Sequence, residues 1–599
     1  MNLPSFLNYN KENQDKATPV HRKHFTLKQT EIVKRAIRHF SLFEKTVFFV
    51  LFSVMMLTAG IMLTRVNNIF VETVPIEGGT LSEGVIGSAR FINPILAVSD
   101  SDRDLTNLVY SGLMRSMPDG SIIPDMAKSY KISDDGKTYT FILKDDLTFH
   151  DGTKVTTDDI EFTVSKIQDG AVKSPKRPNW ESVIIEKINE REIRFHLRQA
   201  YAPFLENTTV GIIPKNLFKD ISAEEFPLSL FNFEPIGSGP YKIETIKRTG
   251  SGLPQTYTLS SFKKFALGVP YIKEISISFY PNEATLFGAY LRGDIEAVHS
   301  VTPDKLSELS KPDNYVLTAP LPRIFAVFFN QNQATVFTDQ KVRQALDSAI
   351  DRTLLVKEVL NGLGVPVSGP LPPEIATPFK EETLGENERI NKARNILTED
   401  GWILNEESHI FEKTIKKSGK KTDKLTLQFS LSTGNAPELK RTALLLKDIW
   451  EKVGAEVEVK IFETGDLNQN VIRPRKYDAL LFGEVVGRDL DLFAFWHSSQ
   501  RNDPGLNIAM YTNLKIDKIL EEGRTLKTVS ERLKSYQNFA EILTKETPAV
   551  FLYSPDFIYL LPTKVKGVEL QNITIPSDRF AGVYNWFIES ENVWKFFVR

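Results

Sequence analysis

The sequence predicts an α/β protein of more than one lobe, preceded by one transmembrane helix. Its 599 residues suggest, at roughly 150 residues per domain, two to four domains or one large unit with insertions. From Val74 onward, strand-like segments alternate with helix-like segments, which is the pattern of a mixed α/β fold. Residues 46–64 contain no charged side chain. The hydrophobic fraction of 41% is ordinary, so the chain can bury a core.

Residues 46–64 are predicted to be a transmembrane signal-anchor. At about 1.5 Å per residue this stretch spans roughly 28 Å, close to the thickness of a bilayer core. A buried core helix is the alternative, but no polar residue interrupts any face of the stretch beyond Ser and Thr. A cleaved signal peptide would have a short basic region before its apolar part, whereas here 45 residues precede it.

The charge distribution predicts the orientation of this helix. Residues 1–65 hold ten Lys and Arg against four Asp and Glu, although the whole chain has a formal charge of -2. Because the positive flank of a span stays in the cytoplasm, we expect a single-pass protein of the cell membrane with its C-terminal domain outside. Residues 1–45 are predicted to be a cytoplasmic tail, disordered at first and then helical. That helix either lies on the inner leaflet or is an ordinary solvated amphipathic helix.

The elements that follow the span are predicted in chain order from their periodicity. Predicted strands are residues 138–143, 193–197, 275–279, 324–329, 425–431, 456–461 and 478–482. Predicted helices are residues 339–360, 438–452 and 530–545. Residues 364–383 contain five prolines and are predicted to be a linker, and residues 413–424 are predicted to be an exposed hairpin tip.

The composition and motifs exclude several classes of function. The chain has no cysteine, so disulfides, thiol nucleophiles, Cys-based zinc sites and an N-terminal lipid anchor are ruled out. A nucleic-acid binder would normally show a basic excess, which is missing here. The common metalloprotease, hydrolase, P-loop and dinucleotide motifs are not found. His150-Asp151 is predicted to be a turn and Thr156 a helix N-cap. We therefore expect no enzyme, no metal and no cofactor.

Several segments together resemble the extracellular solute-binding proteins of peptide ABC transporters, the oligopeptide/dipeptide group known as family 5. In order and spacing they cover about residues 76–560. The segments are residues 123–130, 133–164, 235–241 (PIGSGPY), 292–296 (RGDIE), 329–330 with 339–352, 393–402 and 532–548.

The resemblance implies a bilobal fold of the periplasmic-binding-protein type, class II, with an extra subdomain in lobe one. Mapped onto this chain, lobe one comprises residues 74–118, 228–318 and 549–599, the inserted subdomain residues 119–227, and lobe two residues 319–548. The chain would cross between the lobes near residues 325–330 and again near Pro548, which are therefore candidate hinges.

The resemblance also implies a function. We expect a membrane-anchored monomer that captures peptides in a cleft between the lobes and delivers them to the permease subunits of an ABC transporter in the cytoplasmic membrane. Two alternatives remain open. The same fold can bind a non-peptide solute, such as a nickel chelate or an oligosaccharide, or it can act as a membrane-tethered sensor or scaffold without transport.

In this family one wall of the cleft follows the strand matched here by residues 478–484. The peptide would run along the backbone of Phe482, Gly483 and Glu484. The family has an aspartate shortly after this strand, which pairs with the peptide ammonium group. By spacing to Asp489, that position is Val486 here, so the anchoring carboxylate is missing unless Glu484, Asp489 or Asp491 replaces it.

Further candidate ligand contacts follow from the same resemblance. Trp496 is either a wall on which a ligand side chain stacks or a residue of the core. His497 has no His or Cys close to it in sequence, so a metal site there is not expected. The remaining candidates are Val98, Ser99 and Asp100 in lobe one and Asn507 and Tyr511 in lobe two.

Overall fold

A computed structural model describes residues 34, 37–376, 383–416, 422–487, 491–526 and 528–597. The predicted tail up to residue 33, residues 417–421 of the predicted hairpin tip and the candidate Asp489 lie outside the described residues. The chain divides into two compact units. The first consists of Met1–Val74 and Glu591–Arg599, and the second is Pro75–Ser590.

The described chain contains strands and helices in alternation, as predicted. The strands are β1 Val71–Ile76, β2 Gly78–Ile86, β3 Met114–Ser116, β4 Ile122–Pro124, β5 Ala127–Ile132, β6 Thr138–Leu143, β7 Ile184–Lys187, β8 Glu192–His196, β9 Tyr241–Arg248, β10 Pro254–Ser261, β11 Ile272–Tyr280, β12 Ala297–His299, β13 Asn314–Pro320, β14 Arg323–Phe329, β15 Gly364–Pro366, β16 Ile403–Leu404, β17 Phe411–Lys416, β18 Thr422–Thr426, β19 Gln428–Gly434, β20 Glu456–Phe462, β21 Ala479–Val485, β22 Ala549–Pro562 and β23 Glu589–Trp594. The longer helices are α1 Leu42–Phe70, α2 Asp100–Val109, α3 Thr157–Gln168, α4 Glu283–Arg292, α5 Gln340–Ser348, α6 Arg352–Leu360, α7 Glu386–Glu399, α8 Pro437–Val453, α9 Leu514–Gly523 and α10 Val529–Glu546.

The first unit is built on α1. Ser41 begins the helix with a reciprocal cap, in which its hydroxyl accepts the N–H of Glu44 and the Glu44 carboxylate accepts the N–H of Ser41. Its stretch Leu42–Asn67 is long and apolar enough to cross a membrane. β1 follows the helix directly and pairs with β23.

The second unit is organised by one continuous sheet. Its strands run in the order β20-β19-β21-β14-β22-β12-β2-β11-β10-β9, and β13 and β15 also pair with β22. β22 is the strand shared by both halves of this sheet. Its first residues pair with β14, with Tyr553 opposite Phe325, and its later residues pair with β12 and β13, with Leu560 opposite Val298 and Val316.

The buried side chains divide at this shared strand. Buried residues between Ile324 and Tyr553 form two cores, one on each face of β14 and β21. Residues up to Ala319 and from Phe557 onward form other cores, the largest of which also includes the small sheet β5-β6-β8-β7. Of the candidate hinge segments, residues 325–329 lie on β14 and Pro548 directly precedes β22. The lobe boundaries given above stay a prediction.

The predicted elements agree with the structure except at three places. The single helix predicted over residues 339–360 is wrong, because Asp351 accepts the N–H of Leu354 and begins α6 as a separate helix. The strand predicted over residues 425–431 is interrupted at Leu427, between β18 and β19. The first residues of the predicted linker form β15, which pairs with β22. The N-cap at Thr156 is confirmed, since its hydroxyl accepts the N–H of Asp158.

The glycines of the PIGSGPY segment have a packing role. A Cβ on Gly237 would lie 2.1 Å from the carbonyl oxygen of Val109, and the N–H of Gly239 donates to that same oxygen at 2.8 Å. The adjoining turn is the one predicted at His150-Asp151, where Asp151 accepts the N–H of Thr153. Burial lowers the pKa of His150 to about 4, so this ring is neutral at physiological pH. The segment therefore joins secondary-structure elements, and the ring of His150 packs against its backbone.

Candidate functional site

The strand expected to line the cleft has one edge without a strand neighbour. β21 pairs with β14 from Ala479 to Val485, where Arg323 is the last partner. On its other side, β19 pairs only with Ala479 and Leu480. In the described part of the chain, the edge of β21 at residues 482–484 is therefore open. An extended peptide can hydrogen-bond to such an edge.

Gly483 brings an aromatic ring close to this strand. A Cβ at this position would lie 2.9 Å from the ring of Phe325, which is its partner on β14. Phe325 in turn lines a cavity between the two halves of the unit. The neighbouring Phe482 is half-buried and packs on the opposite face of the strand, against the core that contains Trp496. Glycine at 483 therefore permits a close ring-to-backbone contact at the cavity wall.

Glu484 is buried in the core and does not lie in an open cleft. Side chains alternate along a strand, so Glu484 points to the same face as Leu480. It is 3% exposed, and in the described chain neither of its carboxyl oxygens has a hydrogen-bond partner. Burial raises the pKa of Glu484 well above its usual range. The nearby indole of Trp496 opposes this shift only in part, because its N–H does not reach hydrogen-bonding geometry.

Trp496 occupies the core and not a cleft wall. It is fully buried, with ring centroids 6.1 Å from Phe328 and 5.9 Å from Phe551. Of the two roles left open by the sequence, its position favours the core.

The position of the missing aspartate is also internal. Val486 is fully buried, and its N–H donates to the carbonyl of Pro322 at 2.8 Å. Asp491, one possible replacement, is held by the guanidinium of Arg524, with the closest contact at 2.6 Å. That guanidinium also lies over the ring of Phe493, at 3.9 Å from its centroid. Asp491 is therefore neutralised within lobe two.

Asn507 and Tyr511 stabilise the loop that follows Trp496. The amide of Asn507 donates to the carbonyls of His497 and Tyr511 and accepts the N–H of Tyr511. The hydroxyl of Tyr511 donates to the carboxylate of Glu546 at 2.5 Å. Both side chains are buried. They therefore stabilise this loop from its buried side.

Of the three lobe-one candidates, Asp100 reaches a cavity. Val98 is 58% exposed at the surface. Ser99 caps α2 by accepting the N–H of Asp102 and donates its hydroxyl proton to the Asp102 carboxylate. Asp100 lines the cavity that also contains Phe325, and its ion pair with Arg103 is long, at 3.9 Å.

A concavity lined by both halves of the unit lies at this point. We call it the deep cavity; its volume is about 480 Å³. Its charged lining comes from both lobes and consists of Asp100, Asp304, Arg323, Glu438, Arg441 and Asp556. Burial raises the pKa of Asp556. The mixed signs suit a ligand that carries both a positive and a negative group.

Two further cavities adjoin each other on lobe one. One has a volume of about 430 Å³ and includes Arg103 and Asn107; the other has about 260 Å³ and is closed on one side by Gly487 of lobe two. Both are lined by Lys176 and Glu206. Gly487 follows the open edge of β21 by three residues, so this edge leads directly toward the lobe-one wall.

Sequence reasoning missed most of the residues that line these cavities. Arg323 is the first residue of β14, and Glu438 and Arg441 lie on the first turns of α8. Such charged residues at the ends of elements look like ordinary surface residues in a sequence. Two lining residues stood near predicted contacts: Arg103 lies one helical turn after Asp100 on α2, and Gly487 directly follows Val486.

Comparisons with known protein families and with single proteins both indicate a solute-binding protein. The sequence profile of the bacterial extracellular solute-binding proteins, family 5 (middle region) matches residues 121–504, more than half of the chain. Oligopeptide-binding protein AppA of Bacillus subtilis is 27% identical over 82% of this chain and 89% of its own.

Two solved structures extend this relationship to the fold. The structure of Bacillus subtilis AppA in complex with a nonapeptide has a TM-score of 0.65 and 25% identity, covering 86% of this chain and 100% of that one. NikZ from Campylobacter jejuni, in complex with Ni(L-His), has a TM-score of 0.66 and 26% identity, covering 85% of this chain and 99% of that one. Both are periplasmic-binding-protein folds of two lobes. The chain described here belongs to the bacterial extracellular solute-binding proteins of family 5.

Proposed function

We propose that this protein captures peptides between its two lobes and delivers them to the permease subunits of an ABC transporter, as a monomer tethered to the cytoplasmic membrane by α1. The family consists of substrate-binding proteins and not of enzymes. The relative AppA binds oligopeptides, and its solved complex holds a nonapeptide.

The observation that carries the peptide proposal is the open edge of β21 at residues 482–484. A peptide has unpaired backbone N–H and C=O groups along its whole length. An open strand edge satisfies them whatever the side chains are, which gives affinity with little sequence preference. A chelate or a sugar can hydrogen-bond to single backbone groups but lacks this regular repeat of donors and acceptors, so a strand edge fits it less well than it fits a peptide.

The charged ends of the peptide would be held in the deep cavity. Arg323 lines this cavity, and the described residues offer its guanidinium no ion pair. It is therefore our candidate for a ligand carboxylate. Asp100, with only a long ion pair to Arg103, is our candidate for the ammonium group in place of the missing aspartate. Glu484 stays a candidate only if ligand binding exposes it.

The first test is to identify the natural ligand. Full-length protein is purified from membranes in mild detergent, and the small molecules released on denaturation are identified by mass spectrometry. Peptides of varied sequence and similar length support the proposal. A thermal-shift series then uses synthetic peptides, because a ligand that binds only the native state raises its apparent stability. No shift across a diverse peptide pool, together with recovery of a nickel chelate or a sugar, contradicts it.

A second test separates the candidate anchors. Each variant, Asp100→Asn and Glu484→Gln, is titrated with one peptide in free-amine and N-acetylated forms. We expect Asp100→Asn to weaken the free-amine form alone, by about 10- to 100-fold for a charge-assisted bond of roughly 1.5–3 kcal/mol. Equal weakening of both forms removes Asp100 from that role, and a selective effect of Glu484→Gln would assign it to Glu484.

Delivery to a permease is tested separately from binding. The permease subunits encoded beside this protein, if present, are reconstituted in vesicles with the full chain and assayed for peptide-stimulated ATP hydrolysis. Stimulation that depends on this protein supports transport. Peptide binding without stimulation of any neighbouring permease favours the sensor or scaffold alternative.

A further inference from the structure

The C-terminal segment is attached to the end of the candidate membrane helix. Within the first unit, β23 pairs with β1, which continues directly from α1. The hydroxyl of Thr73 donates to the side-chain oxygen of Asn592 at 2.8 Å. In the last turn of α1, the side-chain oxygen of Asn67 accepts the indole N–H of Trp594 at 3.1 Å. The end of the chain is thereby held beside the last turns of the helix.

The position of Asn67 along α1 indicates how deep in a membrane this contact would lie. The uncharged stretch ends at Thr64, and Arg65 is the first charged residue after it. Asn67 follows Thr64 by three residues, which is about 4.5 Å along a helix axis. The headgroup layer on each side of a bilayer core is roughly 5–7 Å thick. The contact between Asn67 and the indole of Trp594 therefore falls within the headgroup layer if α1 spans the membrane.

The side chains next to this contact are of the types that are common at membrane interfaces. Trp594 is 55% exposed and Phe596 is 89% exposed, and Lys595 stands between them. The other five tryptophans of the chain are buried in cores: Trp180, Trp402, Trp450, Trp496 and Trp586. Tryptophan and other aromatic rings concentrate at the headgroup level, where the ring is apolar and the indole N–H keeps a polar partner, and lysine extends its amine toward the phosphates.

We propose that residues 593–596 are a second membrane contact, which inserts Trp594 and Phe596 into the phospholipid headgroup layer beside the outer end of α1. This rests on the membrane anchor in the proposed function. The polypeptide leaves the first unit at Val74 and returns to it at Glu591. Both points at which the chain joins the first unit would then lie at the membrane surface.

The experiment uses the full chain in phosphatidylcholine vesicles. Fluorescence of the wild type minus that of Trp594→Phe isolates the emission of Trp594. Two quenchers are compared: phosphatidylcholine with a spin label on its headgroup, and iodide in the aqueous phase. We expect a blue-shifted Trp594 component that is lost with the labelled lipid and persists in iodide. The matched control is Trp586→Phe, whose difference spectrum should respond to neither quencher because Trp586 is buried.

Two results would overturn the proposal. One is a Trp594 component that iodide quenches and the labelled lipid does not. The other is protection from iodide only at high protein-to-lipid ratio, which would indicate contact between two copies of the chain. Alkaline extraction of the same vesicles distinguishes this from failure of the anchor itself. Protein that stays in the pellet while Trp594 is exposed to iodide refutes the second contact alone, and protein that is extracted refutes the anchor.

Discussion

Replacing Glu484 by glutamine should make the protein more stable, increasingly so as the pH rises. The substitution keeps the size of the side chain and removes its ionisable group. Glu484 is 3% exposed, and burial raises its pKa well above the usual range. The folded state therefore holds this proton more tightly than the unfolded state does. In the wild type, stability is lost as the pH rises from the ordinary glutamate pKa, about 4.3, toward the raised one.

The magnitude follows from proton linkage. Between those two pKa values the wild type loses about 1.4 kcal/mol of unfolding free energy per pH unit through this one group. Glu484→Gln cannot lose it, so the gap between variant and wild type should widen at that slope and then level off above the folded pKa. All other groups titrate alike in both proteins, and their effects cancel in the difference.

The assay is urea unfolding of the full chain in lipid nanodiscs, followed by the fluorescence of the buried tryptophans, at several pH values between 5 and 8. Glu456→Gln is the matched control, because Glu456 is exposed on β20 of the same lobe. Its gap to the wild type should not vary with pH. A gap for Glu484→Gln that is equally flat would refute the reasoning, since it would mean that Glu484 ionises freely in the folded protein.

Three further predictions concern packing and charge. Arg579→Met should cost roughly 3–5 kcal/mol at neutral pH, because Arg579 is fully buried between two carboxylates that would lose their partner. Burial disfavours the charge on Asp104, one of them, but Arg579 and then a histidine lower its pKa to about 2. This stabilisation is present above about pH 4 and lost as the pH falls toward 2, so the deficit of the variant should shrink in acid melts. Gly237→Ala should cost about 1–3 kcal/mol or more, since its Cβ would lie 2.1 Å from a backbone oxygen; the control Gly250→Ala, with no atom within 4 Å, should melt like the wild type. Arg323→Gln should weaken peptides with a free C-terminal carboxylate by about 10- to 100-fold and leave amidated peptides unchanged, as measured by calorimetric titration; equal loss for both would remove Arg323 from carboxylate binding.

The sequence alone was sufficient to predict the class of protein and its local features, such as helix caps and turns. The alternation of elements, the uncharged stretch before Arg65 and the ordered family segments predicted an α/β extracellular binding protein behind a membrane helix. N-caps and turns were also readable, because the cap at Thr156 and the turn at His150-Asp151 depend on residues only a few positions apart.

The lobe architecture was visible only through the family resemblance. No local pattern indicates that β22 pairs with β14 by its first residues and with β12 and β13 by its last ones. Strand pairing joins residues hundreds of positions apart, and the order of strands depends on which hydrophobic faces can be covered together.

The roles of the candidate contacts were decided by tertiary structure. A strand of period two puts Phe482 and Glu484 on one face, but the sequence does not say whether that face meets ligand or core. The short helix that ends at Trp496 packs on this face, so Glu484 is buried there, and its carboxyl oxygens have no hydrogen-bond partner in the described chain. In the same way the charged lining of the deep cavity, Arg323 among it, arises where the two lobes meet. Burial is a property of the assembled fold, which is why the sequence could predict the strand and only the structure could show which of its side chains are buried.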